Sequence, residues 1–309
     1  NGNDVLLHTL PIYHIHGLFV ACNLCLLSGA KIYFIKKFQT ETVIEYLPKS
    51  TVMMGVPTFY TRLIESNKLN IQITKNIRVF ISGSAPLLSE THKEFESLTG
   101  HKILERYGMT ETNMNTSNPY DGERRAGTVG FPLPGIKIRI TDTEKSHKMA
   151  SEKIGMIEIK GENVFEGYWK MSDKTKESFT DDGYFVTGDL GKFSSDGYLS
   201  IIGRNKDLII SGGLNIYPKE IEVVIDGINN VKETAVIGVT HKDFGEAVVA
   251  VVVADREKVS ESSIMEIVQT KLAKFKQPKK IIFVNALPRN AMGKVQKQNL
   301  RNNYNKLFN

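Results

Sequence analysis

The sequence predicts an α/β fold on a largely parallel sheet, followed by a β-rich section and then a small α+β domain. Three observations carry that prediction. Over residues 1–126, short apolar runs alternate with stretches of helical spacing, the rhythm of parallel strands joined by crossover helices. From 127 to 203 the runs alternate in period two, as in IKIRI, MIEIK and YLSII, with turns such as DDG (181–183) and SDG (195–197) between them. Beyond 207, a β-branched run at 248–253 stands among amphipathic segments.

Taken in order, residues 5–10 open as a strand, and 31–35, 51–54, 77–81 and 103–107 follow as strands. Helices are expected over 40–47, 58–65 and 89–98, the last with Phe95 and Leu98 at apolar spacing. Residues 17–27 read as a buried apolar helix containing Cys22 and Cys25. In the third section a helix starts near 219, strands lie at 233–239 and 247–254, a helix at 262–273 and a strand at 281–284. Glycine and a charged cluster break two apolar runs at 203–207, which sets the domains at 1–203 and 208–309 with a joint at 204–207.

Of 309 residues, 41% are hydrophobic and 24% charged, which excludes a disordered, collagen-like or coiled-coil chain. The net charge of +6 is spread without a basic stripe, so a nucleic-acid partner is not expected. Anionic small molecules fit the balance. Two cysteines cannot build a disulfide framework, which favours a reducing compartment such as the cytoplasm, with a mitochondrial matrix as the alternative. The longest apolar run, 17–28, is too short to span a bilayer, and no membrane partner is expected.

Five segments offer chemistry. Ser82-Gly83-Ser84-Ala85-Pro86 follows a strand, and its small residues let a ligand approach the backbone. Tyr107-Gly108-Met109-Thr110-Glu111-Thr112 offers an aromatic face, hydroxyls and one carboxylate, and one carboxylate with phosphates is how Mg²⁺ is commonly held. Thr187-Gly188-Asp189 places an acid that can accept from ribose hydroxyls. Arg204 to Asp207 and then Ser211-Gly212-Gly213 combine a cation cluster with a narrow turn. The stretch PRNAMGK (288–294) ends in Lys294, a cation near neutral pH. Taken singly, each also fits an ordinary turn or loop. His14, His16, Cys22 and Cys25 carry zinc-like spacing, although Cys in an apolar helix is more often a small hydrophobe.

In this order, LPIYHIHGL (10–18), YGMTET (107–112), YFVTGDLG (184–191), GRNKDLIISGG (203–213) and the GK pair (293–294) resemble the successive motifs of the adenylate-forming superfamily. Within it, MGVPTFYTRL (54–63), ISGSAPLLSETH (81–92), LERYGMTETNMNTSNPYDGERRAGTVGFPLPG (104–135) and GGLNIYPKEIE (212–222) are similar to malonyl-CoA synthetases. The resemblance implies the C-terminal part of a large adenylation domain, 1–203, a hinge at 204–207 and a small α+β lid domain. It implies MgATP, CoA and malonate as ligands and a reaction through malonyl-AMP. Ser84, Ala85 and Pro86 would then lie along the adenine, with Tyr107 on its other face and Gly108 beside it. Thr110 would contact phosphate, Glu111 would hold Mg²⁺, and Asp189 would grip the ribose near Arg204. Lys206 would be the hinge. Lys294 would stabilise the carboxylate and α-phosphate, then swing away, and Gly212 and Gly213 would face the pantetheine channel. Malonate's second carboxylate calls for an arginine fork, for which Arg62 and Arg106 are the candidates. His14 would gate or help bind a carboxylate, and Met109 and Met114 would shape the pocket wall.

The family's Gly/Ser/Thr-rich phosphate loop, whose amides cradle the β- and γ-phosphates, has no counterpart in these 309 residues. The chain by itself is therefore expected to be a truncated piece with weak activity or none. A ligase for another acid (methylmalonate, a short or medium fatty acid) and a nucleotide-binding fragment without turnover are the alternatives.

Overall fold

In the computed structural model, which describes residues 1–142, 148–290 and 293–308, the first section forms a seven-stranded sheet among the described residues. Its strands are β1 (Val5–His8), β2 (Lys31–Phe34), β3 (Val52–Gly55), β4 (Val79–Ser82), β5 (Leu104–Met109), β6 (Asn113–Ser117) and β7 (Phe131–Pro132). Their spatial order is β2-β1-β3-β4-β5-β6-β7. The first five pair in parallel, and β6 pairs antiparallel with both β5 and β7. β3 (VMMG) and β4 (VFIS) are buried at every position. A parallel strand covered on both faces reads as an unbroken apolar run for this reason.

Helices Thr40–Tyr46, Pro57–Glu65 and Ser89–Thr99 provide the crossovers between successive parallel strands. Val43, Tyr60, Leu63 and Phe95 from these helices close over Leu7, Met53, Phe80 and Ile103 in one core cluster. Tyr60, Phe80 and Phe95 meet edge to face at 4.8 to 6.3 Å, a geometry the ring quadrupoles favour. The buried Tyr60 hydroxyl donates to the Ile81 carbonyl at 2.5 Å.

Residues 17–27 depart from the sequence expectation of a buried helix. They form a π-helix, His16–Asn23, running into one α-helical turn, Leu24–Leu27. Val20, Ala21, Cys22 and Cys25 are buried, but Leu24, Leu26 and Leu27 are 54%, 68% and 88% exposed. A helix resting on a sheet buries one stripe, so a segment that is apolar all round leaves its far side uncovered.

β8 (Lys137–Thr141), β9 (Gly155–Lys160), β10 (Phe185–Phe193) and β11 (Leu199–Arg204) make a four-stranded sheet in the order β11-β10-β9-β8. Its cluster of Val129, Ile140, Ile157, Ile159 and Leu199 takes in Tyr107. The last sheet contains β12 (Ile209–Ser211), β13 (Leu214–Ile216), β14 (Val231–His241), β15 (Gly245–Ala254) and β16 (Lys280–Phe283). The β-branched run of β15 divides by parity. Val248, Ala250 and Val252 pack with Ile221, Ile225, Ile264 and Val268 of helices Pro218–Asp226 and Glu261–Lys271. Val249, Val251 and Val253 pack with Leu287 and Leu300. Alternation at period two with both faces covered produces the run seen in the sequence.

Two compact units result, Asn1–Thr187 with Gly191–Ile201, and Gly188–Leu190 with Ile202–Asn309. The sequence reading puts the joint at 204–207; this division falls after Ile201 and sets residues 188–190 with the second unit. No helix of the described residues is long and apolar enough to cross a membrane.

Candidate active site

β4 and β5 pair in parallel, Ile81 with Leu104 and Ser82 with Glu105, so their carboxyl ends open side by side. Ligands of open α/β sheets bind beyond such ends. The loop after β4 carries Gly83, Ser84, half-buried Ala85 and exposed Pro86. Ser84 has φ +69°, a left-handed conformation that costs a non-glycine residue roughly 1–3 kcal/mol. Two contacts hold the loop. Ser84 Oγ lies 3.1 Å from His16 Nδ1, and the Leu87 N–H donates to Glu105 Oε1 at 3.2 Å.

Arg106 projects from β5. Its Nε donates to Ser117 Oγ at 3.3 Å across the β5–β6 pair. Among the described residues it has no carboxylate partner. Burial lowers its pKa from the ordinary guanidinium value. A desolvated cation without a counter-ion is costly, and an incoming anion removes that cost. His16 is buried, and its pKa falls to about 4, chiefly through that burial and then through the neighbouring His14 and Arg106, which oppose a second positive charge. Its backbone N–H donates to His14 Nδ1 at 3.2 Å.

β5 then folds back on itself. A Cβ on Gly108 would stand 2.0 Å from the Asn113 carbonyl oxygen, so only glycine lets β5 and β6 close here. The hairpin tip holds exposed Thr110 and half-buried Glu111, with half-buried Met109 before them. The Tyr168 hydroxyl donates to Glu111 Oε1 at 3.1 Å, and the Phe165 N–H donates to the Glu111 carbonyl at 2.8 Å. Tyr107, expected to offer a face to a base, is 9% exposed and packs with Val129, Ile157 and Leu199. Arg62 is exposed on the last turn of helix Pro57–Glu65. No hydrogen bond or ion pair links it to the Arg106 group among the described residues.

The second unit holds the remaining candidates. Asp189 is buried and pairs with Arg204 Nε at 2.8 Å. Lys206 is exposed, and its neighbour Asp207 pairs with Arg301. Gly212 (φ +57°) and Gly213 (φ +79°) turn β12 into β13, and the Gly212 N–H donates to the Phe244 carbonyl at 2.8 Å. Lys294 is set by a small hairpin. Its N–H donates to Asn290 Oδ1 at 2.9 Å, the Asn290 N–H donates to its carbonyl at 3.0 Å, and Arg289 bridges Val295. Residues 291–292 lie outside the described residues. The Lys294 side chain makes no ion pair among the described residues. Desolvation first, and Arg204 next, lower its pKa.

No three His, Cys, Asp or Glu side chains are arranged to hold a metal ion among the described residues. The zinc set of His14, His16, Cys22 and Cys25 therefore does not assemble. Cys22 Sγ instead lies 3.6 Å from the buried His8 Nδ1. Glu111 is a lone carboxylate, which suits an ion that arrives already bound to phosphates. Tyr168 escapes the sequence reading, and His16 enters it only as one of the zinc-like set. The motif LPIYHIHGL displays His16, but its partner Ser84 is 68 positions away.

A family model described as "AMP-binding enzyme" matches residues 1–169, and one described as "AMP-binding enzyme C-terminal domain" matches residues 220–294. A malonate–CoA ligase of Arabidopsis thaliana is 38% identical over 96% of this chain and 54% of its own length. A probable CoA ligase of Humulus lupulus, CCL8, has the same identity and coverage. The crystal structure of ATP-bound MatB from Rhodopseudomonas palustris is 55% identical with a TM-score of 0.98, covering 100% of this chain and 62% of that one. The chain thus spans about half the length of the curated relatives it matches, 54%.

Proposed function

The chain belongs to the AMP-binding enzyme family, and we propose that its protein is an ATP-dependent acid–CoA ligase acting on malonate. A malonate carboxylate attacks the α-phosphate of MgATP and releases pyrophosphate. The CoA thiol then displaces AMP from malonyl-AMP. The observation that carries the malonate assignment is Arg106, desolvated, unpaired with any carboxylate among the described residues and beside the loop after β4. A monocarboxylic acid gives such a cation nothing to bind. Malonate brings a second carboxylate whose two oxygens match the guanidinium fork. The similarity to the malonate–CoA ligase of Arabidopsis thaliana supports the same substrate class, and that to ATP-bound MatB supports ATP.

In this account Ser84, Ala85, Pro86, Tyr107 and Gly108 border the nucleotide, and Thr110 contacts phosphate. Glu111 holds the Mg²⁺ that accompanies ATP. Its carboxylate is already oriented by the Tyr168 hydroxyl. Asp189 receives the ribose hydroxyls while Arg204 keeps it oriented. Lys294 supplies positive charge to the α-phosphate step, where bringing two anions together sets the barrier and electrostatic stabilisation lowers it. Arg62, His14 and Met109 belong to the acyl pocket, Gly212 and Gly213 to the pantetheine path, and Lys206 to the hinge. The buried free thiols Cys22 and Cys25 accord with a reducing compartment, the cytoplasm or a mitochondrial matrix.

The test is AMP release by the full-length gene product with ATP, Mg²⁺ and CoA, offered malonate, methylmalonate, acetate and octanoate in turn. Malonate is expected to be preferred. Turnover of acetate or octanoate with none of malonate would show a ligase for another acid. Nucleotide binding without AMP release would show a binding protein.

A further inference from the structure

We infer that His16 is a positioning residue with two tasks: it anchors Ser84 in its left-handed turn, and by presenting an imidazole where an acid would compete it leaves Arg106 available to a substrate carboxylate. The inference rests on the acid–CoA ligase reading above and extends its pocket to a residue that reading does not use.

The geometry supports both tasks. His16 is 5% exposed, with Nδ1 at 3.1 Å from Ser84 Oγ. Its ring lies against bare backbone. A Cβ placed on Gly83 would stand 3.4 Å from His16 Cε1 and 3.6 Å from the Arg106 carbonyl oxygen. The backbone of His16 is fixed in turn by its N–H donating to His14 Nδ1. A strained residue persists only where its surroundings over-determine it, and the imidazole supplies that constraint to Ser84. The charged and titratable groups acting on His16 are His14, Arg106 and His8, all cationic when charged. They oppose a proton on His16, and none is an acid that would neutralise Arg106. A carboxylate at position 16 would be drawn to that guanidinium and would compete with the substrate for it. An asparagine would keep a neutral polar atom near the Nδ1 position.

Three variants of the full-length gene product separate the two tasks: His16→Phe, His16→Asn and His16→Asp. AMP release is followed against malonate and against ATP. H16D is expected to raise KM for malonate by about tenfold or more while KM for ATP moves by less than about threefold. H16F keeps a ring but no nitrogen, and is expected to raise KM for ATP several-fold with less effect on malonate. H16N is expected to recover most of both. In an Arg106→Met background the H16D effect on malonate should vanish. A common fall in kcat for all three variants with both KM values unmoved would assign His16 a merely structural role and overturn the inference. So would equal malonate KM values for H16D and H16F. Absence of any AMP release with malonate by the parent protein would overturn the functional reading, and this inference with it. Parent turnover with no KM split among the variants would overturn this inference alone.

Discussion

Arg106 and Arg204 are both arginines in strands, and their surroundings differ in one decisive way. Arg204, in the second unit, has the buried Asp189 at 2.8 Å. Arg106, in the first, has the Ser117 hydroxyl at 3.3 Å and no carboxylate among the described residues. An internal ion pair satisfies its own charges and fixes the backbone around them. An uncompensated, desolvated guanidinium has yet to meet its anion. The same residue type therefore serves two purposes. Under the proposed function Arg204 orients an acid for a ribose, and Arg106 is left for a substrate carboxylate, none being supplied to it among the described residues.

The contrast can be sharpened from its largest consequence downward. Lys294, like Arg106, lacks an ion pair among the described residues. Lys294→Ala in the full-length protein should lower malonyl-AMP formation by roughly a hundredfold to a thousandfold. The second half-reaction, from supplied malonyl-AMP and CoA, should change by only a few-fold. Equal loss of both steps, measured by pyrophosphate release and by thioester formation, would remove Lys294 from its assigned step.

A second expectation concerns Asp226, at the end of helix Pro218–Asp226 in the second unit. Its Oδ1 is buried without a hydrogen-bond partner. Burial pushes its carboxyl up from 3.8 to about 7, and Glu222 and Glu233 push the same way against Lys219. Between these two values the folded state holds a proton that the unfolded state has released. The stability of this unit should therefore fall as pH rises through that window and level off above about 7. The fall from pH 5 to pH 8 should be on the order of 2 kcal/mol. Asp226→Asn should flatten it. Hydrogen exchange along β14 at the two pH values reads the effect, and an unchanged slope in D226N would place the titration elsewhere.

The smallest effect is expected at the satisfied pair. Asp189→Asn keeps the shape and removes the charge, so KM for ATP should rise by about tenfold. A comparable rise in KM for malonate would show that Asp189 does not act on the nucleotide alone.

Much of the fold was legible in the sequence because burial on two faces writes itself into composition. VMMG and the VFI that leads into Ser82 are unbroken apolar runs for that reason, and the run at 248–253 divides between two cores by simple parity. The segment 17–27 misled because apolar content says nothing about which stripe meets the sheet, and Leu27 is 88% exposed. The site was legible as a set of motifs but not as a set of partners. Tyr107 sits in a loop motif that suggests an open aromatic face, yet it packs into a core contributed by residues 129 to 199. His16 stood in plain view, but its role depends on Ser84, whose left-handed turn no spacing rule foretells. Nor could the sequence separate Arg62, exposed on its helix, from Arg106.

The most direct test of that distinction is the selectivity for malonate over acetate, as kcat/KM, in the full-length protein and in its Arg106→Ala and Arg62→Ala variants. R106A should lose about a hundredfold or more on malonate while acetate, if turned over, changes by less than about threefold. R62A should lose only a few-fold, as expected for an exposed charge. Equal losses on both acids in R106A, or a larger malonate loss in R62A than in R106A, would contradict the assignment of Arg106 to the second carboxylate.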